Sequence, residues 1–372
     1  MILGFDAKRA FFNRSGLGNF SRDTLRLLTE NLSGTDFHLY TPIPKESLFP
    51  QTEKTNTFIH TPVKRIHRWF PWWWRTGALV PELKNHGIQI YHGLSNEIPA
   101  GLQQAGIRSV VSIHDLIFLR YPRQYSAVDR TIYTIKTRNA CRSADRIVAI
   151  SEQTRNDLIH FLHVPPDRIR VIYQGCHPAF SRRLTEEQLQ KTLNRHSLPP
   201  SYILSVGTIE ERKNLLNVVR ALHRIRSRIP LVVVGKARPY AKRVKEYIRR
   251  HQVEPVIFLE NMPVEELPAI YQSARMLVYP SVFEGFGIPI LEALRSGTPV
   301  VTTSNGCFSE VGGEAALYAD PESPEEIGRQ ILRLWQDDDL HRELSARARE
   351  QEARFRDEKI AGQWETLYRE LI

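Results

Sequence analysis

Between Tyr279 and Gly313 the sequence runs YPSVFEGFGIPILEALRSGTPVVTTSNGCFSEVGG, and two carboxylates in it, Glu284 and Glu292, bracket the glycine-rich run Gly285, Phe286, Gly287. An apolar strand ending at Tyr279 and Pro280, then a helix starting near Ile288 with Pro289 in its first turn, makes Gly287 the N-cap. The open backbone N–H groups and positive dipole end of such a helix suit a phosphate, and glycines let that phosphate approach the main chain. Separated by a loop and about one helical turn, the two carboxylates can accept hydrogen bonds at opposite ends of one ligand. Together these features describe a site for a nucleotide-diphosphate sugar. Each acid also has an ordinary use, Glu292 complementing the helix dipole and Glu284 as a solvated loop residue.

Other chemistry-bearing residues follow predicted strands. After Ile203 to Val206 come Gly207, Thr208, Ile209, Glu210, Glu211, Arg212, Lys213 and Asn214. Arg212 offers a forked cation and Lys213 a point cation for a diphosphate, and Asn214 is placed to cap the next helix. His114 and Asp115 follow an apolar strand, a position suited to a ligand-binding cleft, and His92 ends another strand where it can line an acceptor side. Ser151 is explained as a helix cap. Asn13 to Asn19, NRSGLGN, is a glycine-containing turn before a helix from about Phe20. Its Gly16 and Gly18 lack the third glycine of a dinucleotide fingerprint, since Ser21 stands there, which disfavours an NAD-dependent oxidoreductase.

These residues need strands that end where the ligand lies. Apolar runs at Ile2 to Phe5, Phe37 to Tyr40, Ile88 to Tyr91, Ser109 to Ile113 and Arg146 to Ile150, with helical patterns between most of them, predict a parallel α/β sheet covered on both faces. The pattern repeats at Tyr202 to Val206, Leu231 to Val234, Val256 to Leu259, Met276 to Tyr279 and Pro299 to Thr302. Two Rossmann-like domains are expected, residues 1–180 and 181–354, with a boundary near Phe180 and a linker up to about Pro200. A helix from about Arg354 closes the chain.

Glu284, Gly285, Phe286, Gly287 and Glu292 resemble the Glu-x7-Glu signature of retaining glycosyltransferases of family four, and VGTIEERKNL resembles that family's phosphate-binding loop. The resemblance implies the GT-B architecture, two Rossmann-like domains facing each other across a cleft, with the C-terminal helix of about residues 355–372 crossing back to the first domain. It implies Glu284 at the transferred hexose and Glu292 at the nucleotide ribose. Arg212 and Lys213 become diphosphate ligands and Gly207 a close-approach residue, while Phe286, Gly287 and Ile288 join the donor-binding set. The His-Asp dipeptide resembles the family's active-site histidine, placing His114 at the sugar, and Gly16 and Gly18 resemble its glycine loop. The catalytic set is therefore His114, Glu284, Arg212 and Lys213. YHGLSNEIP, Tyr91 to Pro99, looks most like bacterial mannosyltransferases of surface polysaccharide assembly, implying GDP-mannose as donor and a glycan or lipid-linked glycan as acceptor.

Composition bounds the alternatives. The chain has 372 residues, too many for one ordinary core, with 41% hydrophobic and 25% charged residues, which is usual for a folded globular protein. No apolar run approaches a membrane span and the start lacks a signal-peptide core, so cytoplasmic residence is expected, with a peripheral position on the membrane's inner face as an option. Cys141, Cys176 and Cys307 lie far apart without metal-ligand spacing, and Asp337 to Asp339 sits away from the cleft strands, so neither metal nor cofactor is expected. The net charge of +10 attracts polyanions or an anionic membrane. Basic residues gather at Arg238 to Arg250 and at Lys64 to Arg75, where Trp69, Trp72, Trp73 and Trp74 are interleaved. The second cluster can rest on a membrane, or its tryptophans can pack a helix from Trp72 to Asn85 against its own domain. No nucleic-acid-binding motif organises the charge. A UDP-sugar transferase, a nucleotide-sugar 2-epimerase and a non-enzymatic membrane-surface protein are the competing readings.

Overall fold

The computed structural model describes residues 1–13, 16–43, 56–226 and 228–372. The chain divides into two units, Met1–Gly175 with Phe355–Ile372, and Cys176–Arg354. The division falls just before the expected Phe180 because that ring belongs to the second unit, buried edge-on against Tyr271 at 5.4 Å.

The first unit is a seven-stranded parallel sheet of β1 (Ile2–Asp6), β2 (Asp36–Tyr40), β3 (Thr57–His60), β4 (Ile90–Gly93), β5 (Arg108–Ile113), β6 (Arg146–Ala149) and β7 (Ile169–Val171), in the order β3-β2-β1-β4-β5-β6-β7. The second is a six-stranded parallel sheet of β8 (Ile203–Val206), β9 (Leu231–Val234), β10 (Val256–Leu259), β11 (Met276–Tyr279), β12 (Val300–Thr302) and β13 (Ala316–Tyr318), in the order β10-β9-β8-β11-β12-β13. In both, the strand order reverses beside the first strand, the place where open α/β sheets form ligand crevices. The sequences LVVV of β9 and MLVY of β11 are buried throughout, as strands covered on both faces require. The helix Leu215–Arg224 buries Leu215, Leu216, Val218, Val219, Ala221 and Leu222 on one stripe against this sheet.

The closing helix Asp357–Arg369 packs within the first unit. Trp364 and Tyr368 are buried, and the Tyr368 hydroxyl lies 2.7 Å from His92 Nδ1. Arg26 pairs with Asp357 at 2.6 Å. His92 thus serves this core contact rather than lining a surface; its other nitrogen meets Ser112 Oγ at 2.8 Å. The tryptophan segment also differs from simple packing on its own domain. Trp74 alone of the four is buried, its indole donating to Glu82, whereas Trp69, Trp72 and Trp73 are 81%, 66% and 44% exposed.

Candidate active site

In the second unit, β11 delivers the chain into Pro280 and the loop preceding the helix Ile288–Ser296. Gly287, the N-cap, has φ of +101°, a conformation that favours glycine, and no side chain caps the helix start. At the start of this nine-residue helix Pro289 has no N–H and Ile290 N–H returns to the Gly287 carbonyl, which leaves the Ile288 N–H and the positive dipole end for an anion. Phe286 is buried beside them.

The loop after β8 meets this one. Gly207 has φ of +136°, and a side chain there would touch the Lys213 methylenes. Asn214 adopts the left-handed conformation and does not cap with its side chain; its amide instead donates to the carbonyls of Pro280 and Pro321. Val282 N–H donates to the Arg212 carbonyl at 2.9 Å. So laced, the two loops set a group of charges around one carboxylate. Arg212 Nη1 is 2.6 Å from Glu284 Oε2, Lys213 Nζ 2.6 Å from Glu284 Oε1, and Arg212 Nη2 2.6 Å from Glu210 Oε1. Ser281 Oγ donates to Glu284 Oε1 at 2.6 Å; Lys213 donates to the Tyr279 hydroxyl at 2.6 Å, which donates to Glu284 Oε1 at 3.1 Å.

The electrostatics separate the two acids. Burial pushes the Glu284 carboxyl up, but Lys213 and Arg212 overcome it and hold the pKa at about 2, so Glu284 is ionised. Glu292, on the second turn of the helix, is raised by burial to about 7; a hydrogen bond from the Tyr271 hydroxyl at 2.7 Å and the charge of Lys213 offset that only in part. One acid is a fixed anion and the other titrates near neutrality.

Thus Gly207, Arg212, Lys213, Glu284, Phe286, Gly287, Ile288 and Glu292 lie on the two loops and one helix start of a single unit. Tyr279, Ser281, Glu210 and Tyr271 are the partners sequence reasoning missed. Tyr279 and Ser281 stand inside the quoted motif and Glu210 inside the cationic loop, so their signal was position beside charged residues, while Tyr271 carried none.

The remaining expected residues belong to the first unit. His114 follows β5, is buried, and meets the Leu94 carbonyl through Nε2 at 2.8 Å. Burial lowers its pKa to about 4 despite that bond, so the neutral ring carries its proton on Nε2 and leaves Nδ1 an acceptor. Gly16 and Gly18 are not in a turn: the helix begins at Gly16, four residues before the expected Phe20. Gly18 is required because a Cβ there would lie 1.9 Å from the Asn13 carbonyl oxygen, and Gly16 borders open space. Arg14 and Ser15 of that motif lie outside the described residues. Ser151 caps its helix as expected, accepting from Thr154 N–H.

Residues 14–180 match the family described as Glycosyltransferase Family 4, and residues 186–351 that described as Glycosyl transferases group 1. The chain is 33% identical over 294 residues to O-antigen chain mannosyltransferase B of Escherichia coli, covering 77% of this chain and 76% of that one. It is 28% identical over 281 residues to the serotype-specific mannosyltransferase WbdA of Escherichia coli, and there the match takes in 72% of this chain but only 34% of the relative. The crystal structure of Anabaena Alr3699/HepE with UDP and glucose superposes with a TM-score of 0.77 at 18% identity, over 99% of both chains. By sequence and by fold, this chain belongs to the family-four glycosyltransferases of GT-B architecture.

Proposed function

We propose that the enzyme transfers mannose from GDP-mannose, with retention of anomeric configuration, to a hydroxyl of a glycan or lipid-linked glycan in assembly of a bacterial surface polysaccharide. The observation that carries the proposal is the ionised Glu284 between Arg212 and Lys213, beside the uncapped helix start at Gly287. The mannosyltransferase relatives support the sugar.

Without donor, Glu284 occupies both cations. An entering diphosphate competes for them with the stronger charge, and Glu284 is then available to sugar hydroxyls. The anomeric C–O bond to the diphosphate breaks as the acceptor oxygen bonds to the same face of the carbon, and the acceptor proton passes to the departing phosphate oxygen. Arg212, Lys213 and the helix start stabilise the charge that develops on the leaving group, where electrostatics contributes most. Glu292 takes the ribose hydroxyls, and His114 offers Nδ1 to a sugar hydroxyl. No step calls for a metal.

A peripheral position at the inner face of an anionic membrane is part of the proposal. Ile66, Trp69, Trp72 and Trp73 are exposed beside Lys64, Arg65 and Arg68, the combination that seats a protein at a lipid interface. No helix among the described residues is long and apolar enough to cross a membrane.

Calorimetric titration with GDP, UDP, GDP-mannose and UDP-glucose, followed by product analysis, tests the proposal. Preferential GDP-mannose binding, lost in Lys213→Ala, is expected. A UDP preference, in keeping with the ligands of the Anabaena structure, would replace the donor, and sugar conversion without an acceptor would make the enzyme an epimerase.

A further inference from the structure

The first unit holds a side-chain cluster that the transfer chemistry does not use. β2 and β3 run parallel at one edge of the sheet, with His38 opposite Phe58 and Tyr40 opposite His60. Because side chains alternate along a strand, His38 and Tyr40 share one face of β2, and Phe58 and His60 one face of β3. His86, at the end of the helix Val80–Asn85, completes the group. His38 Nδ1 lies 2.9 Å from His60 Nε2, the two ring planes are nearly parallel at 8°, and the His86 ring stacks on His60 with centroids 4.2 Å apart. The Tyr40 hydroxyl is 2.8 Å from His86 Nδ1. The face of a parallel sheet ordinarily carries branched aliphatic side chains, so three half-buried imidazoles are not explained by packing.

One ring nitrogen from each of His38, His60 and His86 lies within 4.8 Å of the others. We propose that these three histidines form a binding site for a divalent transition ion of the zinc class, separate from the transfer site. Imidazole suits zinc, copper and nickel, whereas magnesium and calcium take oxygen, and the trio contains no carboxylate. Zinc–nitrogen bonds of about 2.0–2.1 Å set ligand nitrogens roughly 3.4 Å apart in a tetrahedron, between the His38–His60 contact and the outer limit of the trio. Side-chain rotation of about an ångström closes the difference.

Proton accounting is simple. Whichever ring donates in the His38–His60 contact moves that proton to its second nitrogen, through solvent, when the metal takes the first. With the Tyr40 phenol on Nδ1, His86 ligates through Nε2, and the phenol orients the ring as outer partners of metal-bound histidines do. The ion would join β2, the edge strand β3 and the helix whose Glu82 holds the Trp74 indole. His114 lies across the middle strand β4, after β5, so the ion takes no part in the transfer step.

The test is titration of untagged, chelator-treated full-length protein with Co²⁺ and then Zn²⁺. One Co²⁺ bound with visible absorption, its displacement by Zn²⁺ and a higher Tm with Zn²⁺ are expected. Affinity should fall by at least about tenfold in His60→Asn and His86→Asn, the scale on which lost ligands and their partners act. His251→Asn, which alters the His223–His251 pair of the second unit, should leave it unchanged. Circular dichroism checks each fold, and if His60→Asn does not fold, His86→Asn at the helix end decides. Absence of saturable binding, or affinity unaltered in both ligand variants, overturns the proposal.

Discussion

Lys213 Nζ and Glu284 Oε1 stand 2.6 Å apart, so a cation suited to the donor's diphosphate and a carboxylate suited to its sugar hold each other. Arg212 grips the second carboxylate oxygen. The pair keeps both cations in place and keeps Glu284 ionised, and each such charge-assisted contact contributes about 1.5–3 kcal/mol. Removing Glu284 leaves two cations adjacent without their shared counter-charge. Glu284→Ala is expected to lower kcat by at least about tenfold and to lower Tm as well. Arg212→Ala should lower kcat/KM by at least about tenfold with the fold kept, because Lys213 still neutralises Glu284. Steady-state kinetics beside thermal melts separates the effects, and near-normal rates in both variants would sink the assignment.

Glu292 predicts a pH dependence of opposite origin. Its folded pKa of about 7 is above the ordinary 4.5, so the folded state holds the proton more tightly. The stabilisation is fully present below about 4.5 and is lost as pH rises through about 7. Glu292→Gln stays neutral and can still accept from Tyr271. Its Tm relative to wild type should therefore rise between pH 5 and pH 8, by about a few degrees. A difference flat across that range would refute the burial argument. Donor affinity in wild type should show an inflection near pH 7 that the variant lacks.

The sequence made the second unit more legible than the first for a physical reason. Buried parallel strands such as β9 and β11 are continuous apolar runs, and the loops after β8 and β11 carry glycines and charged residues close together in sequence. β3 was missed because an edge strand ending in His60 is only half-covered, and β13 because Ala316–Tyr318 is too short to show a period. The glycines at 16 and 18 were misread because glycine before a helix marks a turn or a close approach equally well, and only the Asn13 carbonyl decides between them. Glu284 stood out beside the glycine run, but its ion pairs with Arg212 and Lys213 were not legible, because spacing in sequence does not say which loops meet.

His114 gives a prediction about what pH does not do. The neutral ring, with a pKa of about 4, should impose no inflection on kcat between pH 5 and 8. His114→Ala removes the Nδ1 acceptor and the edge-on contact with Phe20, and should lower kcat by about tenfold while donor KM changes little. A wild-type inflection near pH 6.5 that vanishes in the variant would show that His114 acts in its protonated form and would reverse the assignment.

The exposed tryptophans predict a surface that can be removed without touching catalysis. Trp69 and Trp72 are the most exposed of the four, so Trp69→Ser with Trp72→Ser costs little packing, whereas Trp74→Ser would open the core around Tyr40, Leu79 and Leu83. Vesicles containing phosphatidylglycerol should sediment the wild type, and the double variant should bind at least about tenfold more weakly because tryptophan rings anchor at the headgroup level. Lys64, Arg65 and Arg68 each add about 1 kcal/mol near an anionic surface, so binding should weaken in high salt and on neutral vesicles. Turnover of a soluble acceptor should stay unchanged in the double variant. Equal sedimentation of wild type and double variant would show that these rings do not meet the bilayer.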